Sequence, residues 1–231
     1  MGDMMFYCFI IGSILGSFIC AYAYRFINNE SILIGRSHCE NCGKTLNWYE
    51  LIPIISFIVL KGKCRKCHYK IRSMHLISEI IGGCIGILAY IKYGYDINMF
   101  IVAYICFVLE LISIIDYYTM DIYVKHIIML LIGVSVYIYF NDLDMLLVIK
   151  GMCILSIPLF IINKLFIECI GYGDVQLISV LGMMLGEHIY FMFMMASLIA
   201  SSHIFIYKFK DVKIMPFVPY LACGTYLILL F

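Results

Sequence analysis

Long apolar runs separated by short polar breaks dominate the chain. A helix that crosses a bilayer needs about 20 mainly apolar residues. Runs of this kind lie at Met4–Phe26, His75–Tyr93, Ile97–Ile115, Ile122–Phe140, Met145–Ile167, Val175–Leu185, Ile189–Tyr207 and Met215–Phe231. The sixth has about a dozen residues and covers only about 18 Å as helix, so it is expected to be extended at both ends, locally thinned or re-entrant. The first run starts with Asp3 and carries its basic residue, Arg25, at the far end. That is the reverse of a signal peptide and predicts a retained helix whose N-terminus lies outside. One long polar interruption, from about Ile27 to Met74, holds a short apolar stretch, Leu51–Leu60, flanked by Pro53 and Gly62. This stretch is too short to span and is expected to be a core or an interface-lying element. The pattern predicts an all-α polytopic membrane protein of about eight transmembrane helices. Residues 1–27 form the first helix, 28–74 a small loop domain between the first and second helices, and 75–231 a multispanning domain.

Composition agrees with this pattern. Of 231 residues, 64% are hydrophobic and 13% charged, with a mean hydropathy of +1.00. A soluble domain is about 45–50% apolar and about 25% charged, so a soluble enzyme, a disordered tail and a secreted disulfide scaffold are all excluded. The net charge of +1 gives no pull toward nucleic acid, and none is expected as a partner. Position carries more than the total. With the N-terminus outside, Arg25, Arg36, Lys44, Lys61, Lys63, Arg65, Lys66, Lys70, Arg72, Lys125, Lys164, Lys208, Lys210 and Lys213 fall on the cytoplasmic side. They are 14 of the 16 basic residues, leaving Lys92 and Lys150 outside. The loop domain is therefore expected to be cytoplasmic.

That loop contains Cys39-Glu40-Asn41-Cys42 and Cys64-Arg65-Lys66-Cys67. Two C-x-x-C knuckles bring four thiolates to tetrahedral reach of zinc. The competing reading is a pair of disulfides, which a reducing cytoplasm disfavours. His38 and His68 are expected to be surface residues. The other seven cysteines, Cys8, Cys20, Cys84, Cys106, Cys153, Cys169 and Cys223, lie in apolar runs and read as small hydrophobes.

Ionisable groups inside spans are costly and are functional candidates. They are Glu79, Glu110, Asp116, Asp121 and Asp174, with Glu168 at a span end. Asp116 closes the third span, and Asp174 opens the sixth in Gly171-Tyr172-Gly173-Asp174. The charge-derived topology puts both at the cytoplasmic ends of their helices, at a common depth. Two carboxylates sharing a proton can activate water as base while protonating a leaving amine as acid. Gly171 and Gly173 permit close approach of a substrate backbone, and Asp174 is expected to cap its helix. Taken alone, the tetrapeptide also fits an ordinary capped helix start. Glu79 is expected to orient either the loop or the aspartate pair, and Asp121 to be a loop or cap carboxylate.

In order along the chain, these motifs resemble the type IV prepilin peptidases. Gly12-Ser13-Ile14-Leu15-Gly16-Ser17-Phe18 followed by Arg25 is similar to that family's opening. Arg36-Ser37-His38-Cys39, Cys42-Gly43, Trp48-Tyr49-Glu50-Leu51-Ile52-Pro53, Gly62-Lys63-Cys64, Cys67 and Glu79 are similar to its loop signatures. Gly171-Tyr172-Gly173-Asp174 and Pro216-Phe217-Val218-Pro219-Tyr220-Leu221 are similar to its catalytic and last-span motifs. The resemblance implies a bacterial inner-membrane enzyme with Asp116 and Asp174 as catalytic pair and zinc on Cys39, Cys42, Cys64 and Cys67. It implies cleavage of prepilins or pseudopilins after a glycine that ends a basic leader. It also implies N-methylation of the new N-terminal residue from S-adenosylmethionine; no glycine-rich nucleotide turn in the loop marks a site for that donor. Departures from the family are Tyr123 and Val124 where it carries Pro and Asp, the additional Asp121, and Gln176 in place of Lys. Two other readings are an intramembrane aspartyl peptidase without methylation, and a non-enzymatic transporter with a zinc docking loop.

Overall fold

The computed structural model describes residues 2–32, 35–165, 170–207 and 215–231. Glu168, Cys169, Lys208, Lys210 and Lys213, all named above, lie outside the described residues, as does the end of the fifth apolar run. Every long element is helical: α1 Gly2–Ile27, α3 Ser73–Tyr93, α4 Ile97–Thr119, α5 Val124–Phe140, α6 Met145–Leu165, α7 Tyr172–Leu185, α8 Ile189–Tyr207 and α9 Val218–Leu230. A short α2, Ile55–Val59, lies in the loop. The eight apolar runs each become one long helix, and the structure is that of a multi-pass membrane protein. Among the described residues, Gly2–Ile27, Ser73–Tyr93, Ile97–Thr119, Met145–Leu165 and the stretch Tyr172–Ile206 are long and apolar enough to cross a bilayer.

The chain divides into two units, Met1–Gly94 and Tyr95–Phe231. In the first, α1 and α3 pack backbone against backbone. A Cβ on Gly12 or Gly16 would collide with the carbonyls of Gly82 and Ser78, and one on Gly86 with that of Cys8. Ser78 Oγ donates to the Gly16 carbonyl at 2.7 Å. Small residues are what allow this approach where no hydrophobic effect drives helices together.

In the second unit α4 is central, with 61% of its most apolar window buried against 22% for Met145–Leu165. Ile105, Leu109, Ile112 and Ile115 of α4, with Leu130 of α5 and Leu177, Ile178 and Leu181 of α7, are fully buried. Gly151 and Gly182 bring α6 and α7 into backbone contact. The short sixth run starts earlier than its apolar residues do, at Tyr172, and stops at Gly186, whose φ of +56° a side chain disfavours. Its 14 residues give about 21 Å of helix, still short of the roughly 30 Å hydrocarbon layer. The apolar loop stretch is not one element. It splits into a 3-10 turn, Trp48–Leu51, and α2, with Leu51, Ile52, Ile55, Ile58 and Val59 exposed rather than in a core.

Candidate active site and metal centre

The two cysteine knuckles are built alike. Cys39 N–H donates to the Lys44 carbonyl at 2.9 Å and Gly43 N–H to the Cys39 carbonyl at 3.0 Å; Cys64 N–H to Tyr69 and His68 N–H to Cys64 repeat the arrangement, both at 2.9 Å. The residue after each second cysteine turns left-handed, Gly43 at φ +65° and His68 at +57°. Antiparallel bridges, His38 with Thr45 and Lys63 with Lys70, close the knuckles. The four Sγ atoms lie within 4.8 Å of one another, and Cys39 and Cys67 are 3.8 Å apart. Thiolates about 2.3 Å from a tetrahedral ion sit about 3.8 Å apart, so the cluster fits a metal. Backbone donors favour the thiolate form. The Tyr69 N–H brings Cys67 down to about 6, and the Cys67 N–H lowers Cys64. Asn41 Nδ2 adds a donor 3.7 Å from Cys67 Sγ. Neither His38 nor the exposed His68 belongs to the cluster.

Three carboxylates tie this loop down. Glu50 receives the Asn47 N–H at 2.8 Å and Lys44 Nζ at 2.9 Å. Glu40 lies between Arg72 Nε at 3.0 Å and His75 Nε2 at 3.4 Å. Burial pushes the Glu40 carboxyl up, and His75 and Arg72 more than offset it, leaving it below its ordinary value. Glu79, on α3, accepts Ser17 Oγ at 2.8 Å and the Ile54 N–H at 2.6 Å. Of the two expected roles for Glu79, orienting the loop is the one these bonds serve. Ile54 is held at φ +62° and ψ −52°, a region that β-branched residues avoid. No periodicity marks it.

In the second unit, Asp116 is buried near the end of α4, and its Oδ2 accepts the Val218 N–H at 3.1 Å. Val218 opens α9, so the carboxylate meets one of the four N–H groups that a helix start leaves unpaired, at the positive end of its dipole. Phe217 N–H contributes as well. Sequence reasoning missed this contact, although Pro219 in the first turn of α9 is a recognisable helix-start signal.

Asp174 differs from the expected cap. Gly171 is the N-cap of α7 and Asp174 stands three residues inside, where its carboxylate reaches back to the Gly171 N–H. Tyr172 and Gly173 already have helical geometry, which moves the start upstream of the aspartate. A Cβ at Gly171 would sit 3.1 Å from Asp174 Oδ2, and one at Gly173 2.8 Å from Ile122 Cβ. Ile122 follows the first aspartate motif, so the glycine packs the two motifs side by side. Asp116 acts on Asp174 electrostatically, and Asp121 on Asp116. Asp121 is exposed in the turn after α4, its N–H 3.3 Å from Thr119 Oγ1. Glu110 is buried on α4.

Comparison with known proteins matches both units. Residues 10–93 fit the bacterial peptidase A24 N-terminal domain, and residues 102–206 the type IV leader peptidase family. The prepilin leader peptidase/N-methyltransferase of Bacillus subtilis is 28% identical over 234 residues, covering 99% of this chain and 94% of that protein. The protein of the same name from Vibrio cholerae is 28% identical over 214 residues, covering 85% and 83%, and one from Burkholderia pseudomallei is 26% identical over 205 residues, covering 84% and 66%. No solved structure matches the chain. With both family segments present and in the same order as the loop and aspartate motifs, the chain belongs to the type IV leader peptidase family.

Proposed function

We propose that the protein is a prepilin leader peptidase that cleaves the basic leader of prepilins or pseudopilins after glycine, at the cytoplasmic face of the bacterial inner membrane, and then N-methylates the new N-terminus. It is a multi-pass enzyme with its N-terminus outside and its cysteine loop cytoplasmic. What supports the peptidase reading is that buried Asp116, held by the first N–H of α9, lies within electrostatic reach of Asp174 in the first turn of α7.

Asp116 and Asp174 form an aspartic pair. Two adjacent carboxylates resist double ionisation and share a proton. The N–H groups at the start of α9 stabilise charge on Asp116, which suits it to take a proton from the attacking water. The protonated partner then gives its proton to the leaving amine. Gly171 keeps the space beside Asp174 free of a side chain, so an extended backbone can lie against it, while Gly173 leaves room for Ile122. Such proton transfers contribute about 10²–10⁴-fold. Asp116→Asn and Asp174→Asn should each reduce cleavage of a reconstituted prepilin carrying a Gly–Phe junction by at least about 10²-fold. Cleavage at the wild-type rate in either variant would overturn the pair.

Cys39, Cys42, Cys64 and Cys67 hold zinc, which supplies cross-linking energy that a small loop lacks. Metal content measured after Cys64→Ser should fall below stoichiometry; full zinc occupancy in that variant would remove the ligand set. S-adenosylmethionine is the methyl donor.

A further inference from the structure

The first unit encloses a cavity of about 580 Å³ walled by α1, the cysteine loop and the start of α3. Small-molecule sites occupy about 300–1,000 Å³. Its lining carries Arg25, Arg65 and His75 alongside Glu40, Glu50 and Glu79, but not every carboxylate has an ion-pair partner. Glu40 has Arg72 and His75, and Glu50 has Lys44. Glu79, which also lines the cavity, is only 7% exposed and has two neutral donors, Ser17 and Ile54, but no cation within ion-pair distance among the described residues. A buried carboxylate is costly unless a positive charge accompanies it, and each Glu79 oxygen keeps a further lone pair for one. Strained Ile54, bonded to the same carboxylate, is further reason to read this wall as a built site, since such strain persists where the surroundings enforce it.

The remaining walls narrow the ligand. Phe18, Tyr22 and Phe57 supply flat apolar surface for a ring system and a cation-binding face. Arg25 spends two N–H groups on the Ile32 and Gly35 carbonyls, at 3.1 and 3.2 Å, and has others for a ligand carboxylate. A cation, a heteroaromatic ring and a carboxylate on one small molecule describe an adenosyl sulfonium amino acid.

We infer that this cavity is the S-adenosylmethionine site, with Glu79 facing the cationic part of the donor; the inference rests on the methyltransferase reading above. Bound there, the sulfonium supplies a methyl group to a neutral amine, the S–CH₃ bond breaking as the N–C bond forms, a neutral thioether leaving and the amine's proton passing to water.

Calorimetry on the detergent-solubilised full chain tests it, with S-adenosylmethionine and, separately, a basic leader peptide as titrants. The wild type should bind the donor. Ala21→Phe and Ser56→Phe, which fill the cavity from α1 and α2, should each weaken donor binding by at least about tenfold, with zinc content and melting temperature serving as fold controls. Glu79→Gln keeps the size and removes the charge, and should cost at least about tenfold in donor affinity. Irradiation with methyl-labelled donor, which needs no variant to fold, should label peptides within residues 14–25 or 46–60. Wild-type donor affinity in both filled variants, or label confined elsewhere, overturns the site. A variant that loses only the leader peptide would reassign the cavity to substrate and also overturns it. A wild type that cleaves prepilin yet neither binds the donor nor methylates defeats the methyltransferase reading, and the site falls with it.

Discussion

At Ile54 a β-branched side chain occupies the rare γ-turn region of the backbone, at a cost of about 1–3 kcal/mol. Its N–H is what Glu79 holds. Ile54→Gly keeps that N–H and relieves the strain, so the melting temperature of the purified protein should hold or rise. Ile54→Pro removes the N–H and forces φ near −65°, and should lower it by several degrees. Gly173 is constrained from the opposite direction, by space. A methyl there meets Ile122 at 2.8 Å, and a shift of about 1 Å at a reacting group can cost about 10²-fold. Gly173→Ala should therefore lose prepilin cleavage, and Gly173→Ala combined with Ile122→Ala should recover part of it. A double variant no better than the single one would mean that the glycine serves some other purpose.

At the scale of elements, local chemistry was legible and distant chemistry was not. The cysteine knuckles could be read because each is closed by bonds between residues no more than nine apart, so spacing alone specifies them. The helix start at α7 was legible to within a few residues, and the error fell on the cap because two glycines around Tyr172 let helical geometry begin early. The hold on Asp116 was not legible, since its donor lies 102 residues away and no periodicity connects them. The loop is also an element with its own acid limit. The Asn47 N–H, and then Lys44, keep the Glu50 carboxyl below its ordinary range against the pull of burial, with Arg65 adding to the effect. A carboxyl lowered in the folded state stabilises above its unfolded value, about 4.3, and that stabilisation is lost as the pH falls through the lower folded value. Trp48, the single tryptophan, stands two residues from Glu50. Its emission should report loosening of the turn as the pH falls below about 4.3, and Glu50→Gln should flatten that part of the profile.

Over the whole molecule, apolar patterning identified the helices because each must satisfy its own backbone in lipid. It could not say which helix is central. The burial of α4 comes from α5, the next helix, and from α9, about a hundred residues further on, and hydropathy does not distinguish a helix facing lipid from one facing protein.

The glycine crossing of α1 and α3 has a consequence for the loop as a polymer. Arg72, at the loop's exit, lies over the Tyr24 ring at 5.5 Å, so the two ends of the loop meet where the helices do. The segment is thus a ring already closed by the membrane pair before any metal binds. Inside it, a metal on the four cysteines closes only the smaller circuit between the knuckles. The entropy of ring closure grows slowly, by about 0.6 kcal/mol for each doubling of length. Residues added between Ile27 and the first knuckle should therefore hardly change metal affinity, whereas unlocking the crossing, as Gly16→Leu would, should weaken metal binding without touching any of its ligands.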